Sequence, residues 1–380
     1  MGAAAVTTTL VDTVRARRWR AFDVQLFLFM LLLIVFGAVM GYSAGFAEQG
    51  AGAGFSQSVK TLIWTSIGLI IFFVAASVDY HWLQTLTVPI YLLVLGLLTL
   101  TMFIGTNLFG AQMSITVAGL DFQFSEVSKV LMIVVLASFL SSRRERIGRL
   151  STLVGAGVIM AIPTFLVFKQ PDLGTALVFV AILVGMLFMS GASIGWMGVL
   201  TGVTIAAAPI AVQSLAEYQR ARLFCFLDPY ADPQGACYQL VQALNTVGSG
   251  GLFGQGLTAG RQNQLGFLPV QSTDFIFTVV AEELGFVGGI LLLALFALLI
   301  WRILAIGWGS RDALGMMVAT GLASMLLFQI MVNVGMVIGI MPVTGIPLPF
   351  VTYGGSSMIS LLFGMGILQS VRMHARKPTF

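Results

Sequence analysis

Charge is scarce in this sequence of 380 residues. Only 9% of the residues are charged, whereas 58% are hydrophobic. A soluble domain carries roughly 25% charged residues. With so little polar surface the chain cannot face water on all sides, and lipid must cover much of it. The net charge of +4 comes from Arg clusters beside apolar runs and does not indicate nucleic-acid binding.

Cysteine and histidine are almost absent, with two residues of each type. Cys225 and Cys237 fall in a predicted external segment, where the sequence leaves both a disulfide and two free thiols open. There is no Cys-x-x-Cys pair, and His81 and His374 are both expected on the cytoplasmic side. A His/Cys metal site is therefore not predicted.

Long apolar runs are abundant. About ten of them reach the roughly 17–25 residues that span a bilayer. They begin near Phe22, Thr61, Trp82, Val127, Ser151, Leu173, Ile194, Thr273, Ala313 and Pro349. We therefore predict an all-α polytopic membrane protein, with a membrane domain over residues 22–372 and cytoplasmic tails over 1–21 and 373–380.

Basic residues orient the chain. With a cytoplasmic N-terminus, thirteen of the 19 basic residues lie in short cytoplasmic segments. The other six share the external half with most of the acidic residues, and charges at helix ends in a membrane are costly and usually functional. The chemistry is therefore expected outside, where a loop over 212–272 between the seventh and eighth helices should contain short amphipathic helices. The six external basic residues are Lys60, Lys129, Lys169, Arg220, Arg222 and Arg261.

Three acidic residues stand where external segments become helices. Asp274 precedes an apolar run, either as a helix N-cap or as a general base at the membrane surface. Glu126 and Lys129 are spaced i,i+3 and should pair. Together with Asp172 they form either a structural ion network or a polar cavity in which the Lys binds a phosphate-bearing headgroup.

Arg220 and Arg222 lie close together at the start of the long external loop. Two arginines could clamp a diphosphate through bidentate hydrogen bonds. The alternative is that they anchor the loop to lipid headgroups.

Taken together, these stretches resemble the SEDS family (shape, elongation, division and sporulation), the membrane-embedded peptidoglycan glycosyltransferases. The resemblance covers nearly the whole chain. It rests on Phe122–Lys129, Lys169–Ala176, Tyr218–Arg222, Asp228–Pro229, Gly248–Gly251, Phe267–Pro269, Thr273–Phe277 with Ala281–Gly285, and Gly345–Pro349 with Tyr353–Ser356.

The resemblance implies that the chain polymerises lipid II, a disaccharide-pentapeptide on undecaprenyl diphosphate, outside the cytoplasmic (inner) membrane during cell-wall elongation. Asp274 would remove the proton of the attacking sugar hydroxyl. Cationic groups would hold the leaving diphosphate, and a magnesium or manganese ion could assist, although no ligand cluster in the sequence demands one. The expected substrate-binding residues are Lys129, Glu126, Asp172, Arg220, Arg222 and Lys60, and the expected structural motif residues are Glu283, Tyr353, Gly354, Gly355 and Ser356.

Within the family, Asn333–Met336, Ala281–Glu283 and Ile346–Pro349 resemble the elongation member RodA more than the division member FtsW. The alternatives are a division-type polymerase, a flippase or secondary transporter of the lipid-linked precursor, and a scaffold that only recruits a partner. A transporter usually has ionisable residues at the midplane of the membrane. Here these residues crowd the external face, which favours surface chemistry.

The resemblance also implies a partner, a class B penicillin-binding protein with a single membrane span. The partner's helix would need an apolar helix face on this chain to dock against, rich in small or β-branched residues. The predicted ninth span, Ala313–Met331, offers Gly321, Ala323 and Ser324. These residues predict docking near the eighth and ninth spans, and the alternative is that they pack the protein's own bundle.

Overall fold

The computed structural model describes residues 19–49, 51–104, 106–108, 111–117, 120–213, 215, 217–265 and 273–375. Most of both predicted tails, and the Phe267–Pro269 motif, lie outside these residues. The helices are α1 (Val24–Gln49), α2 (Ala51–Ser77), α3 (Trp82–Thr85), α4 (Thr87–Ile104), α5 (Phe124–Ser142), α6 (Leu150–Lys169), α7 (Leu173–Met189), α8 (Ile194–Gln213), α9 (Glu217–Leu227), α10 (Tyr238–Ser249), α11 (Arg261–Gln264), α12 (Ile276–Trp308), α13 (Ala313–Val337) and α14 (Gly355–Ala375).

Seven of these helices are long and apolar enough to cross a membrane: α1, α2, α4, α5, α6, α12 and α13. The apolar helix α7 and the apolar part of α8 are shorter. Backbone groups in lipid have no water to bind, so apolar runs of this length satisfy their own hydrogen bonds as helices. The prediction of an all-α, multi-pass membrane protein is confirmed, and the number of about ten spans stays a prediction.

Helix boundaries follow local rules where caps are present. The predicted starts at Leu173 and Ala313 are correct, because the preceding Asp172 and Asp312 accept hydrogen bonds from backbone N–H groups inside the helix. The last helix begins at Gly355, later than the predicted Pro349. Between Pro349 and Gly355 the chain turns instead: the N–H groups of Val351 and Thr352 both donate to the Leu348 carbonyl, and Phe350 has φ +63°, which does not occur in a right-handed helix.

A small antiparallel sheet precedes α5 and was not predicted. Its strands are β1 (Thr106–Leu108), β2 (Ala111–Val117) and β3 (Leu120–Phe122), in the order β1-β2-β3. Thr106 pairs with Ser114, and Ile115 pairs with Phe122. The last strand ends two residues before α5 begins, so the sheet fixes where that helix starts.

The centre of the bundle is formed by α5 and α13. Their apolar windows are each 72% buried, compared with 22% for α2 and α4. The small residues of α13 pack inward: a Cβ on Gly321 would meet Ile133 of α5 and Met186 of α7, and Ser324 lies against Gly185 of α7. The alternative that Gly321, Ala323 and Ser324 pack the protein's own bundle is therefore the correct one for these residues, and docking of a partner near the predicted eighth and ninth spans stays a prediction.

One end of the bundle is held by ion pairs between segments that the orientation predicts to be cytoplasmic. The side chain of Asp23, just before α1, accepts two hydrogen bonds from Arg302 of α12, with Nε 2.9 Å from Oδ1 and Nη2 2.5 Å from Oδ2. Tyr80 donates to Asp312 at 2.6 Å. Both histidines lie at this same end, around Asp79, and their predicted cytoplasmic location stays a prediction. Their common location agrees with the predicted path of the chain through the membrane.

The long segment between α8 and α12 contains three short helices, α9, α10 and α11. Short helices were predicted for this segment and are present, and its position outside the membrane stays a prediction. A disulfide between Cys225 and Cys237 joins the end of α9 to the residue before α10. This settles the open alternative in favour of the bonded pair.

Candidate active site

Several helix N-termini meet at one place. Gln123, the residue before α5, donates its backbone N–H to Ser356 Oγ at the start of α14, at 2.9 Å. Its side-chain amide donates to Asp172 before α7, at 3.4 Å. Asp274, just before α12, lies close enough to Asp172 to interact electrostatically. Each helix N-terminus carries a partial positive charge, so this region favours an anion.

Asp274 is fixed by contacts to its main chain. Asn333, buried in α13, donates hydrogen bonds from Nδ2 to the Asp274 carbonyl at 2.9 Å and to the Ile346 carbonyl at 2.8 Å. The Thr352 hydroxyl donates to the Thr273 carbonyl at 3.2 Å. The Pro/Gly-rich segment before α14 is thereby attached to the turn that carries the carboxylate.

The Asp274 carboxylate faces Gly345. This glycine has φ +71°, and a Cβ there would lie 3.3 Å from Asp274 Oδ2. A larger residue would be strained and would crowd the carboxylate. The N-cap of α12 is Phe275, with no side-chain hydrogen bond capping the helix. The capping interpretation of Asp274 is therefore wrong, and its carboxylate is left for another role.

Burial raises the pKa of Asp274 to about 6, with Arg222 acting to lower it and Asp172 acting to raise it further. Burial likewise raises the pKa of Asp172, against the Thr175 N–H bond at 2.9 Å and the charge of Lys129, which lower it. A carboxylate that changes protonation near neutral pH is suited to accept a proton during a reaction. These electrostatics suit the predicted general base, and the catalytic role of Asp274 stays a prediction.

Glu126 and Lys129 form a buried ion pair on α5, with 2.6 Å between Lys129 Nζ and Glu126 Oε1. The predicted pairing is confirmed. Ser360 of α14 donates to the Glu126 carbonyl at 2.7 Å, which ties the pair to the last helix. Since Lys129 also acts on Asp172, the three residues form an ion network, and their role in substrate binding stays a prediction.

The two arginines of α9 reach different places. Arg222 acts on the Asp274 carboxylate. Arg220 donates from Nη2 to the carbonyls of Gln213, at 2.9 Å, and Leu215, at 3.4 Å. Residues spaced i,i+2 on a helix do not face each other, which the sequence interpretation of a paired clamp overlooked. Gln219 fixes the helix beside Asp172 by donating to the Pro171 carbonyl at 2.7 Å.

The remaining predicted residues have different surroundings. Lys60 is exposed on α2, and Tyr353 and Gly354 are half-buried before α14. Gly355 lies against the Trp64 ring, where a Cβ would overlap it. Glu283 is buried further along α12 and accepts hydrogen bonds from Ser43 and Asn263.

Sequence reasoning did not assign a site role to Gln123, Asn333 or Thr352. Asn333 could have been found, because a polar residue inside an apolar span is costly and is usually there for a reason. The contacts of Gln123 and Thr352 depend on segments far away in sequence, and no local pattern indicates them.

Comparison with known proteins agrees with this architecture. A family model described as a cell cycle protein family, FtsW/RodA/SpoVE, matches residues 23–377. Stage V sporulation protein E of Bacillus subtilis is 37% identical over 361 residues, which cover 93% of this chain and 98% of that protein. The peptidoglycan glycosyltransferase MrdB of Escherichia coli K12 is 38% identical over 355 residues, covering 93% of this chain and 94% of that protein.

A solved structure described as the structural coordination of polymerization and crosslinking by a peptidoglycan synthase complex has a TM-score of 0.80 to this chain. The two are 30% identical, and the match covers 94% of this chain and 99% of the other. Sequence and fold thus agree over the whole membrane domain, and the chain belongs to the FtsW/RodA/SpoVE family, the SEDS family that its motifs resemble.

Proposed function

We propose that the chain is a peptidoglycan glycosyltransferase that polymerises lipid II on the external face of the cytoplasmic membrane. The observation that carries the proposal is Asp274, a carboxylate with a pKa raised to about 6, held beside Arg222 where helix N-termini converge. A base next to an anion-binding region is what transfer of a sugar from a lipid diphosphate requires. Relatives named as peptidoglycan glycosyltransferases support the same conclusion.

In the proposed reaction, a hydroxyl of the acceptor sugar attacks the anomeric carbon of the donor. The new C–O bond forms as the bond from that carbon to the diphosphate oxygen breaks. Asp274 accepts the hydroxyl proton, and the lipid diphosphate leaves with the bonding electrons. Arg222 and the helix N-termini stabilise the negative charge that develops on the diphosphate.

A divalent cation would be held here only together with the substrate's phosphates, because the described residues contain no group of three or more His, Cys, Asp or Glu side chains placed to bind one. Magnesium is commonly held by one or two carboxylates together with substrate phosphates. Asp172 and Asp274 are the two carboxylates that would hold it, and bound there the ion would offset the charge of the leaving diphosphate.

We further propose an elongation role like that of RodA, on the residues Asn333–Met336, Ala281–Glu283 and Ile346–Pro349. The protein would sit in the cytoplasmic membrane with both termini inside and would work with a class B penicillin-binding protein. A solved relative described as part of a peptidoglycan synthase complex supports a partner. Expression in cells depleted of their own elongation or division member tests the role: restored rod shape supports elongation, and restored septation alone contradicts it.

The activity itself is tested with purified protein and labelled lipid II. Glycan polymer on a gel is the expected product, and the Asp274→Asn variant should make none. Movement of lipid II across a vesicle membrane without polymer would favour the flippase alternative. Neither polymer nor movement, in protein that binds the transpeptidase, would favour a scaffold.

A further inference from the structure

Two adjacent glutamates, Glu282 and Glu283, are buried inside α12 at 0% and 1% exposure. Glu282 accepts backbone hydrogen bonds from Gln262, at 2.7 Å, and from Asn263, at 3.1 Å. None of the ion pairs within the described ranges includes either glutamate. Two buried carboxylates therefore share one place without an ion pair to any cationic side chain of the described residues.

Glu283 and Asn263 also leave oxygen atoms without partners. Glu283 Oε1 accepts from Ser43 Oγ at 2.5 Å and from Asn263 Nδ2 at 3.2 Å. Over the described residues, Glu283 Oε2 and Asn263 Oδ1 are buried with no hydrogen-bond partner. Buried polar atoms are nearly always paired, so two orphan acceptors on side chains that touch each other point to a missing positive or donating group.

The surroundings of this cluster are fixed by backbone hydrogen bonds. A glycine-rich segment pairs with α12 at the cluster, where Gln255 N donates to the Glu282 carbonyl and Gly256 N to the Glu283 carbonyl, both at 3.0 Å. Gly285, with φ +67°, breaks the helix immediately afterwards. The Thr258 N–H donates to Ser43 Oγ at 3.2 Å, which joins α1 to the same cluster.

We propose that Glu283 and Asn263 bind a hard, oxygen-coordinated cation of the calcium, magnesium or sodium type, with Glu282 supplying additional negative charge. All the available donor atoms are oxygens, which are the ligands that such ions prefer. A cation satisfies both orphan acceptors and offsets the buried charge, whereas a single water would satisfy the acceptors only. The site is separate from Asp274, because the helix between Ile276 and Glu283 alone rises on the order of 10 Å at about 1.5 Å per residue.

The test is thermal unfolding of the purified, chelator-treated full chain with added CaCl₂, MgCl₂ or NaCl, with choline chloride as the ionic-strength control. A ligand that binds only the folded state raises the melting temperature in a saturable manner, here by on the order of a few degrees at saturation. We expect such a rise with at least one of the three metal salts. We expect Glu283→Gln and Asn263→Leu to lose it, and the exposed control Glu217→Gln to keep it.

Asp274→Asn separates this site from the carboxylates of the candidate active site and should retain the rise. Loss of the rise in Asp274→Asn and its persistence in Glu283→Gln would place the ion at Asp274 and overturn the proposal. Absence of any rise in the wild-type chain would also overturn it. In that case, a Glu283→Gln variant as stable as wild type would indicate that Glu283 is protonated and carries no charge that a cation would have to offset.

Discussion

Replacing Asn333 tests whether the position of Asp274 matters for catalysis, because Asn333 contacts the main chain of Asp274 and not its carboxylate. It is fully buried, and its amide donates to the Asp274 and Ile346 carbonyls at 2.9 and 2.8 Å. Asn333→Leu keeps the volume but leaves two carbonyls without donors, each costing about 1–3 kcal/mol. Part of this free energy is recovered, because Asn333 Oδ1 is buried without a partner among the described residues, and the Leu side chain removes that unpaired polar atom. We expect a net loss of about 2 kcal/mol in the free energy of unfolding.

The effect on catalysis should be larger than the effect on stability. A reacting group displaced by about 1 Å can lose on the order of 10²-fold in rate. With lipid II as substrate, we expect kcat to fall about 10–100-fold, because Asp274 is displaced. KM should stay nearly unchanged, because the Asn333 amide binds main-chain carbonyls of the site. The pH at half-maximal rate should also move away from about 6 as the burial of Asp274 changes.

Gln329→Met is the matched control for Asn333→Leu. Gln329 lies one turn earlier on α13 and is 2% exposed, and its Oε1 has no partner among the described residues. Replacing it should cost little and leave kcat within about twofold, since no contact to the Asp274 turn is lost. Equal kcat values for the two variants, or a normal kcat in a destabilised Asn333→Leu, would refute the positioning role.

Three other outcomes are expected. The wild-type polymerisation rate should fall about tenfold from pH 7 to pH 5, because a base with a pKa of about 6 becomes protonated, and a flat profile for folded protein would contradict this. Arg222→Ala should lower the polymerisation rate and move the midpoint of its pH profile upward, because Arg222 lowers the pKa of Asp274. Arg220→Ala should mainly reduce the free energy of unfolding, by about 1 kcal/mol, because a hydrogen bond to the Gln213 carbonyl is lost. Identical pH profiles for the two variants would contradict this difference. In Gly285→Ala, the new Cβ would overlap the Gly254 backbone, which should lower the free energy of unfolding by on the order of 3 kcal/mol. The yield of folded protein on size-exclusion chromatography should therefore fall, and a normal yield would contradict the contact.

Much of the helical framework was predictable, because the bilayer imposes it locally. Apolar runs must close their own hydrogen bonds, and Asp172 and Asp312 mark helix starts by capping them. The Glu126–Lys129 pair follows from i,i+3 spacing alone. The sheet before α5 was missed because its strands are short and their pairing depends on neighbouring strands rather than on propensity.

The same limit applies to two sequence interpretations of the site. The N-cap alternative for Asp274 is wrong, and the diphosphate clamp of Arg220 and Arg222 stays a prediction. Arg220 and Arg222 look like a pair in sequence, but a helical backbone separates them onto different faces. Asp274 looks like an N-cap, but the helix begins one residue too late for it to take that position. In both cases the answer depended on the residue at which a helix begins or on the helix face that a residue occupies. A sequence pattern predicts helix boundaries only to within one or two residues.

The sequence by itself determined that the chain spans a membrane several times and which family its motifs resemble. The direction in which the chain runs through the membrane stays a prediction from its basic residues. Only the tertiary structure brought Gln123, Asp172, Arg222, Asp274 and Gly345 to one place, from five separate segments. The physical reason is that hydrophobic patterning identifies spans but not their neighbours. Which helix ends meet depends on how side chains of distant segments fit together, as the small residues of α13 do against α5 and α7.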